Sequence, residues 1–101
     1  MSSPKITALI LSYNNQKEIK RCLESLSWAD EIVVIDSFSQ DNTARIARDF
    51  GAKVYQYNFT TFGKLRNLAV LHASHDWLFS LDTDEITTPK VVKEIKQIAS
   101  D

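Results

Sequence analysis

The sequence predicts an α/β protein with an open parallel sheet of four strands, in the order 3-2-1-4, and helices on both faces. Short β-rich apolar segments alternate four times with helical patterns, which is typical of parallel strands joined by right-handed crossovers. The first segment is the most apolar and suits the centre of the sheet, whereas residues 53–57 alternate polar and apolar side chains as edge strands do. Three strands also end in polar or acidic residues, which parallel pairing would bring to one edge.

Strand one covers residues 6–13, which are almost continuously apolar and so indicate burial on both faces. Helix one follows, because Asn15 and Glu18 have the spacing of a capping box. Its apolar stripe recurs at i, i+3, i+4 and i+7 and consists of Ile19, Cys22, Leu23 and Leu26. Cys22 is interpreted as a small core residue rather than a nucleophile, because burial raises the pKa of a thiol.

Strand two covers Glu31–Asp36 and ends in an acid. Ser39 or Asp41 can cap the second helix, and Gly51 ends it. We expect the buried face of this helix to consist of Ile46, Ala47 and Phe50. Strand three then follows at residues 53–57.

Helix three is expected to start near Phe62, in a segment where polar residues give way to a helical repeat. Its stripe consists of Leu65, Leu68, Ala69, His72 and Ala73. Because His72 and His75 share no metal-ligand spacing, both are interpreted as structural or surface residues.

Strand four lies within residues 76–87, and we expect its apolar side chains to be buried between layers. These side chains are Trp77, Leu78, Phe79 and Leu81. Thr88 can cap the last helix, with Pro89 at the first helical position. The stripe of that helix consists of Val91, Val92, Ile95, Ile98 and Ala99.

Composition excludes several classes of function. The 101 residues carry 12 basic and 13 acidic side chains, and without a basic cluster the net charge of −1 gives no basis for nucleic-acid binding. A single cysteine excludes an intrachain disulfide and a cysteine-rich zinc site. Apolar runs are strand-sized and no secretory signal is evident, so we expect no membrane span and a cytoplasmic location.

Strand four runs directly into three acids, Asp82, Asp84 and Glu85, and no basic residue follows for four positions. Asp82 and Asp84 repel each other unless a divalent cation sits between them and a polyphosphate. The other interpretation is a strand-to-helix loop in which Thr87 or Thr88 caps the next helix and the acids favour its positive end. The triplet alone does not separate the two.

Six motifs along the chain resemble the nucleotide-binding half of family-2 glycosyltransferases, which has the Rossmann-like GT-A fold. The motifs are Ser-Tyr-Asn-Asn at 12–15, Trp-Ala-Asp-Glu-Ile-Val-Val-Ile-Asp-Ser at 28–37, Gln-Asp-Asn-Thr at 40–43, Gly-Ala-Lys-Val at 51–54, Arg-Asn-Leu-Ala at 66–69 and Asp-Trp-Leu-Phe-Ser-Leu-Asp-Thr-Asp-Glu at 76–85. The resemblance covers nearly the whole chain and is closest to the bacterial branch that adds sugars to the lipopolysaccharide core.

The resemblance implies a site for a nucleotide sugar, usually UDP-linked. It assigns the base and ribose to Asp36 and to the loop after strand one, with Ser12, Tyr13 and Asn14. Arg66 would contact the base or a phosphate. Asp82-Thr83-Asp84 resembles the DxD motif, in which Asp84 would ligate Mg²⁺ or Mn²⁺ on the diphosphate while Asp82 faces the ribose or donor sugar beside the metal.

This sequence departs from the family pattern after strand two. Many members have two adjacent acids there, whereas Ser37 follows Asp36, and Phe38 stands where glycine is common. In the family, the base that deprotonates the acceptor hydroxyl comes from the half after this point. Residues 1–101 are therefore expected to be the donor domain of a longer enzyme, or a naturally short relative of the family. The acceptor is expected to be a glycan or a lipid-linked molecule, with peripheral membrane association of the full-length protein.

Three other classes share parts of the pattern. Asp-Thr-Asp after a strand resembles the nucleophile motif of haloacid-dehalogenase-type phosphatases, but that motif predicts Thr at position 86, where Ile86 stands. A receiver domain needs an Asp on strand three, and Val54, Tyr55 and Gln56 offer none. A non-catalytic nucleotide-binding or interaction domain shares every donor-site residue with the enzyme and stays an alternative.

Overall fold

The computed structural model describes residues 4–100 as a single four-stranded parallel sheet in the order β3-β2-β1-β4, which confirms the predicted fold class and strand order. The strands are β1 (Ile6–Ser12), β2 (Glu31–Asp36), β3 (Lys53–Gln56) and β4 (Trp77–Ser80), and the helices are α1 (Gln16–Ser25), α2 (Thr43–Phe50), α3 (Phe62–His72) and α4 (Pro89–Ser100). Parallel pairing brings the carboxyl ends of all four strands to one edge of the sheet. None of the helices in the described range has both the length and the apolar character of a membrane span.

The sheet is covered by a separate apolar layer on each face. On one face, Ala8 and Ile10 of β1 pack against α1 and α2. On the other face, Leu9 of β1 packs against Leu65 and Ala69 of α3. Because side chains alternate along a strand, the apolar run of β1 feeds both layers, as expected for a central strand.

The helix ends agree with the sequence in three places. Gly51 ends α2 in the left-handed conformation, with φ of 105°. Helix α3 begins at Phe62, where the Thr61 hydroxyl accepts a hydrogen bond from the Lys64 N–H at 3.1 Å. The Thr88 hydroxyl likewise accepts from the Val91 N–H at 3.3 Å, at the start of α4.

The predicted capping box at α1 is wrong. The Asn15 side chain makes no cap hydrogen bond to the helix, and its Oδ1 instead accepts from the Tyr13 N–H at 2.8 Å. The amide is turned back into the preceding loop, because Asn14 adopts a left-handed φ of 51° and folds that loop tightly. A spacing rule alone does not detect such a competing local partner.

Several side chains predicted to be buried are exposed. Phe50 is 38% exposed at the end of α2, and Trp77 and Leu78 are exposed because β4 lies at the sheet edge and α3 packs only on β1 and β2. In α4 only Ala99 is buried, and Ile98 is 63% exposed. The apolar patterns were read correctly as strand and helix, but no described element covers these surfaces.

A buried carboxylate organises the amino ends of the strands. Glu31 accepts hydrogen bonds from the Thr7 hydroxyl at 2.7 Å and from the Ser74 N–H at 2.8 Å, and it forms an ion pair with Lys53 at 2.5 Å. Burial raises the pKa of Glu31, but these hydrogen bonds outweigh it and lower the pKa to about 2, from an ordinary value of 4.5. Glu31 therefore stabilises the folded state in its charged form.

We expect Glu31→Gln to reduce the free energy of unfolding at pH 7 by roughly 3 kcal/mol, the equivalent of the lowered pKa. Because the folded pKa lies below the unfolded one, this stabilisation is present above about pH 4.5 and is lost as the pH falls toward 2. The difference between wild type and variant should therefore shrink over that range in urea unfolding measured at pH 7, 4.5 and 3. Glu24→Gln, an exposed acid on α1, is the matched control and should show no such difference.

Candidate functional site

A cleft of about 880 Å³ opens at the carboxyl ends of β1, β2 and β4. Its walls come from the loops that follow these strands and from the start of α3. The lining residues are Leu11, Ser12, Tyr13, Asn15, Glu18, Ser37, Phe59, Phe62, Leu65, Asp82, Thr83 and Asp84. Open α/β sheets bind ligands at this edge, so the cleft is the candidate site.

The loops after β1 and β2 are tied to each other. The Asn14 N–H donates to the Ser39 hydroxyl at 2.8 Å, and Asn14 Oδ1 accepts from the Gln40 N–H at 2.8 Å. The Asn15 N–H donates to the Thr43 hydroxyl at 2.7 Å. Asn14, predicted to contact a nucleotide, is therefore engaged between the loops and is not a lining residue.

Asp36 lies behind the cleft wall and is completely buried. Its Oδ1 accepts hydrogen bonds from the Ser12 hydroxyl at 2.8 Å and the Ser39 hydroxyl at 2.5 Å. Its Oδ2 accepts from the Ser39 N–H at 2.8 Å and the Gln56 amide at 3.2 Å. The next residue, Ser37, is the one that lines the cleft.

Phe38, which lies between Ser37 and Ser39 in the sequence, has a left-handed φ of 55°. Bulky residues rarely adopt this conformation, which glycine reaches without a steric penalty. The left-handed backbone at Phe38 therefore gives a physical reason why glycine would be common at this position. Its side chain is half exposed and outside the cleft lining.

The three acids after β4 converge. Carboxylate oxygens of Asp82, Asp84 and Glu85 all lie within 4.8 Å of one another, and all three residues are exposed. The loop turns on itself, because the Glu85 N–H donates to the Asp82 carbonyl at 3.0 Å and the Asp82 N–H donates to Glu85 Oε1 at 3.0 Å. Glu85, which had not been assigned a ligand role, is thus part of the acidic cluster formed by these three residues.

These acids do not cap α4. The first turn of α4 contains no acidic residue, and Thr88 provides the cap. Thr87 instead fastens the loop to the end of α1, since its N–H donates to the Ser25 hydroxyl at 3.0 Å and its hydroxyl accepts from the Trp28 indole at 3.0 Å. Thr88 therefore caps α4, as the second interpretation of this loop expects, while the three acids lie outside the first turn of that helix. Asp82 and Asp84 line the cleft, where the first interpretation places them, and their ligand role stays a prediction.

Cys22 of α1 lies under the acidic cluster and is buried. Its thiol donates to the Asp82 carbonyl at 3.6 Å. Burial, followed by the negative charges of Glu85, Asp82 and Asp84, raises the pKa of the Cys22 thiol to about 11. The interpretation of Cys22 as a core residue is confirmed.

The acidic cluster fits a hard divalent cation. Mg²⁺ and Mn²⁺ prefer oxygen ligands, and ligands about 2.1 Å from an octahedral ion lie about 4.2 Å apart when opposite each other. One carboxylate oxygen from each of the three acids lies within 4.8 Å of the others, so their separations are compatible with that ligand–ligand distance. Small side-chain rotations at these exposed positions would bring two of them onto one ion.

The remaining predicted residues are distributed unevenly. Ser12, Tyr13, Asp82 and Asp84 come together in the cleft, whereas Arg66 is exposed on α3 and is not a lining residue. The role predicted for Arg66 stays a prediction. Phe59 and Phe62 were missed as site residues because their segment lacks a regular apolar period.

The sequence matches the family model for glycosyl transferase family 2 over residues 7–101. The chain belongs to glycosyltransferase family 2. It is 34% identical over 95 residues to an uncharacterised glycosyltransferase of Rickettsia bellii, covering 93% of this chain and 32% of that protein. It is 33% identical over 101 residues to the SPbeta prophage-derived glycosyltransferase SunS of Bacillus subtilis, covering 96% of this chain and 24% of SunS. The chain thus spans a quarter to a third of these relatives.

Solved structures of larger proteins contain the same fold. S. aureus TarS superposes with a TM-score of 0.78 at 29% identity, over 89% of this chain and 30% of the TarS chain. Glucosyl-3-phosphoglycerate synthase from Mycobacterium tuberculosis, in complex with Mn²⁺, UDP and phosphoglyceric acid, superposes with a TM-score of 0.67 at 26% identity. That match covers 82% of this chain and 34% of the synthase. A haloacid-dehalogenase assignment is set aside by the family match.

We expect Asp84→Asn to leave the melting temperature in EDTA unchanged or raise it by up to about 4 °C, because it removes one of three crowded negative charges. Asp41→Asn is the contrasting variant. The Asp41 carboxylate accepts hydrogen bonds from the Thr43 N–H and hydroxyl, so its loss should lower the melting temperature. Thermal unfolding followed by circular dichroism measures both, and a lower melting temperature for Asp84→Asn would assign the acidic cluster a structural role.

Proposed function

We propose that this chain is the donor-binding part of a glycosyltransferase and binds a nucleotide-diphosphate sugar, with UDP as the nucleotide. The observation that carries this proposal is that Asp82 and Asp84 of the acidic cluster line the same cleft as Ser12 and Tyr13, in a chain that belongs to family 2. The M. tuberculosis synthase supports the choice of ligand, since its structure contains UDP and Mn²⁺. The donor sugar would be transferred to a hydroxyl of a glycan or lipid-linked acceptor.

The strand order divides the cleft into two ends. The acidic cluster follows β4, whereas Ser37 follows β2 on the other side of β1. Since a diphosphate with its cation belongs beside the acids, the nucleoside extends from β4 toward β2. Ser12 and Tyr13 at the end of β1 lie between the two ends, where the ribose would be.

Ser12 presents an acceptor to this part of the cleft. Its hydroxyl hydrogen is donated to Asp36 at 2.8 Å, which leaves the oxygen lone pairs for a donor such as a ribose hydroxyl. The Asp36 carboxylate is buried and its oxygens already accept four hydrogen bonds. We therefore propose that Asp36 does not touch the nucleoside but orients the Ser12 hydroxyl that does.

We propose that Asp84 and Asp82 hold Mg²⁺ or Mn²⁺ on the diphosphate. A bound divalent cation supplies Lewis-acid neutralisation of the charge that develops on the departing diphosphate. The residues of this chain bind and orient the donor, with the carboxylates fixed by the Asp82–Glu85 turn and by the attachment of Thr87 to α1. Deprotonation of the acceptor hydroxyl is assigned to no residue of this chain.

The narrower assignment, transfer to lipopolysaccharide core in the cytoplasm with the whole protein on a membrane surface, rests on the motif resemblance. TarS, SunS and the Rickettsia protein support the family and carry no such acceptor in their names. Assay of the full-length protein with truncated lipopolysaccharide cores as acceptors tests this assignment, and the absence of transfer to every core would reject it.

We expect UDP to bind more tightly with Mn²⁺ or Mg²⁺ than in EDTA, as measured by isothermal titration calorimetry. Asp84→Asn removes one charged ligand and should weaken binding about tenfold to a hundredfold when metal is present, while leaving the affinity in EDTA unchanged.

Asp76→Asn is the matched control for this titration, because Asp76 is an exposed acid at the opposite end of β4. It should leave both affinities unchanged. Equal affinity of the wild-type protein for UDP with and without metal would remove Asp82 and Asp84 from the metal role, and no UDP binding under either condition would overturn the proposed function.

A further inference from the structure

Two exposed phenylalanines form part of the cleft wall. Phe59 is 55% exposed and Phe62 is 61% exposed, and both line the cleft. Their ring centroids are 5.3 Å apart with an interplanar angle of 76°, an edge-to-face pair. Two exposed rings in mutual contact form a contiguous apolar patch in the wall of the cleft, and such patches mark sites for a ligand or partner.

From this pair, and given the proposed function, we infer that Phe59 and Phe62 form the apolar platform on which the base of the bound nucleotide packs. Proteins commonly bind nucleobases by stacking them on aromatic side chains, an interaction that does not require hydrogen bonds to the edges of the base. The family motifs recognised in the sequence do not include either residue. The platform would be a further substrate-binding element of the donor site.

The platform is held in place before a ligand arrives. Phe62 is the first residue of α3, and Thr61 caps that helix through the Lys64 N–H. Three residues later, Leu65 is only 2% exposed and anchors α3 to the sheet beside Leu9. A ring fixed at a capped and anchored helix start loses little conformational entropy on binding, which favours affinity.

The position of the two rings in the cleft favours contact with the base rather than with the diphosphate. Phe59 lies in the connection between β3 and α3, and Phe62 is the first residue of α3, which packs on β2 and β1. The acidic cluster follows β4, which is on the far side of β1 in the sheet. With the diphosphate at the acids, the base is the part of the nucleotide that reaches toward β2, where Ser37 and the two rings line the cleft.

The test separates the base from the diphosphate. We compare the wild-type protein with the double variant Phe59→Ala/Phe62→Ala, using UDP and inorganic pyrophosphate as the two probes, each with Mn²⁺. Calorimetry should show UDP affinity reduced about fivefold to a hundredfold in the double variant, because stacking on the base is lost, with pyrophosphate affinity unchanged. For NMR, diamagnetic Mg²⁺ replaces Mn²⁺, and in the wild-type protein the uracil H5 and H6 resonances should move upfield on binding. This shift should diminish in the double variant.

Phe50→Ala is the matched control, because Phe50 is an exposed phenylalanine on α2 that is not among the cleft-lining residues. It should leave both affinities unchanged. Circular dichroism of the double variant checks that α3 and the sheet remain folded, and Phe62→Leu, which keeps an apolar side chain at the helix start, should weaken UDP binding in the same direction.

The outcomes distinguish this inference from the proposal on which it rests. A double variant that binds UDP as tightly as wild type overturns the platform and leaves the donor site intact. A parallel loss of UDP and pyrophosphate affinity also overturns it, because the rings would then shape the whole cleft. If the wild-type protein binds pyrophosphate but not UDP, the proposed nucleotide-binding function itself fails.

Discussion

The carboxylate of Asp36 joins the ends of three strands, and the geometry of the cleft depends on it. Ser12 of β1, Asp36 of β2 and Gln56 of β3 are register partners across the sheet, and both outer residues donate to the central carboxylate. Ser39 adds two more hydrogen bonds and is itself bonded to Asn14 of the neighbouring loop. An ionised group buried without such donors would destabilise the fold, so the donors and the carboxylate hold one another in place.

A similar arrangement exists where β2 begins. Glu31 is the register partner of Thr7 and receives its hydroxyl, while Lys53 reaches the same carboxylate from β3. β2 therefore carries a satisfied acid at each end and an apolar segment between them, which consists of Ile32, Val33, Val34 and Ile35. At one end of β2, Glu31 holds the strands together. At the other end, Asp36 holds the strands together and also holds the loops after β1 and β2.

Sequence patterns predicted the fold because continuous apolar strand segments and helical repeats are local properties, and residues 6–10 show the first of these clearly. They could not predict which apolar side chains would be covered, since the exposure of Leu78 and Ile98 depends on elements that pack against them. The spacing of Asp82 and Asp84 made them candidate ligands, whereas the convergence of their carboxylates with that of Glu85 is seen only in the structure. The sequence could not show that Asp36 is buried while Ser37 lines the cleft. The burial of Asp36 depends on hydrogen bonds from residues distant in the sequence, Ser12 and Gln56.

The burial of Cys22 has a practical consequence. It is the only cysteine in the sequence, and a thiol whose pKa is raised to about 11 is almost entirely protonated at neutral pH, the form that reacts slowly with maleimides and iodoacetamide. A cysteine introduced on an exposed loop would therefore carry a fluorophore or spin label selectively, with the native thiol left in place. Burial of Cys22, reinforced by the nearby acids, thus allows labels to be introduced at pairs of positions across the cleft without removing the native cysteine.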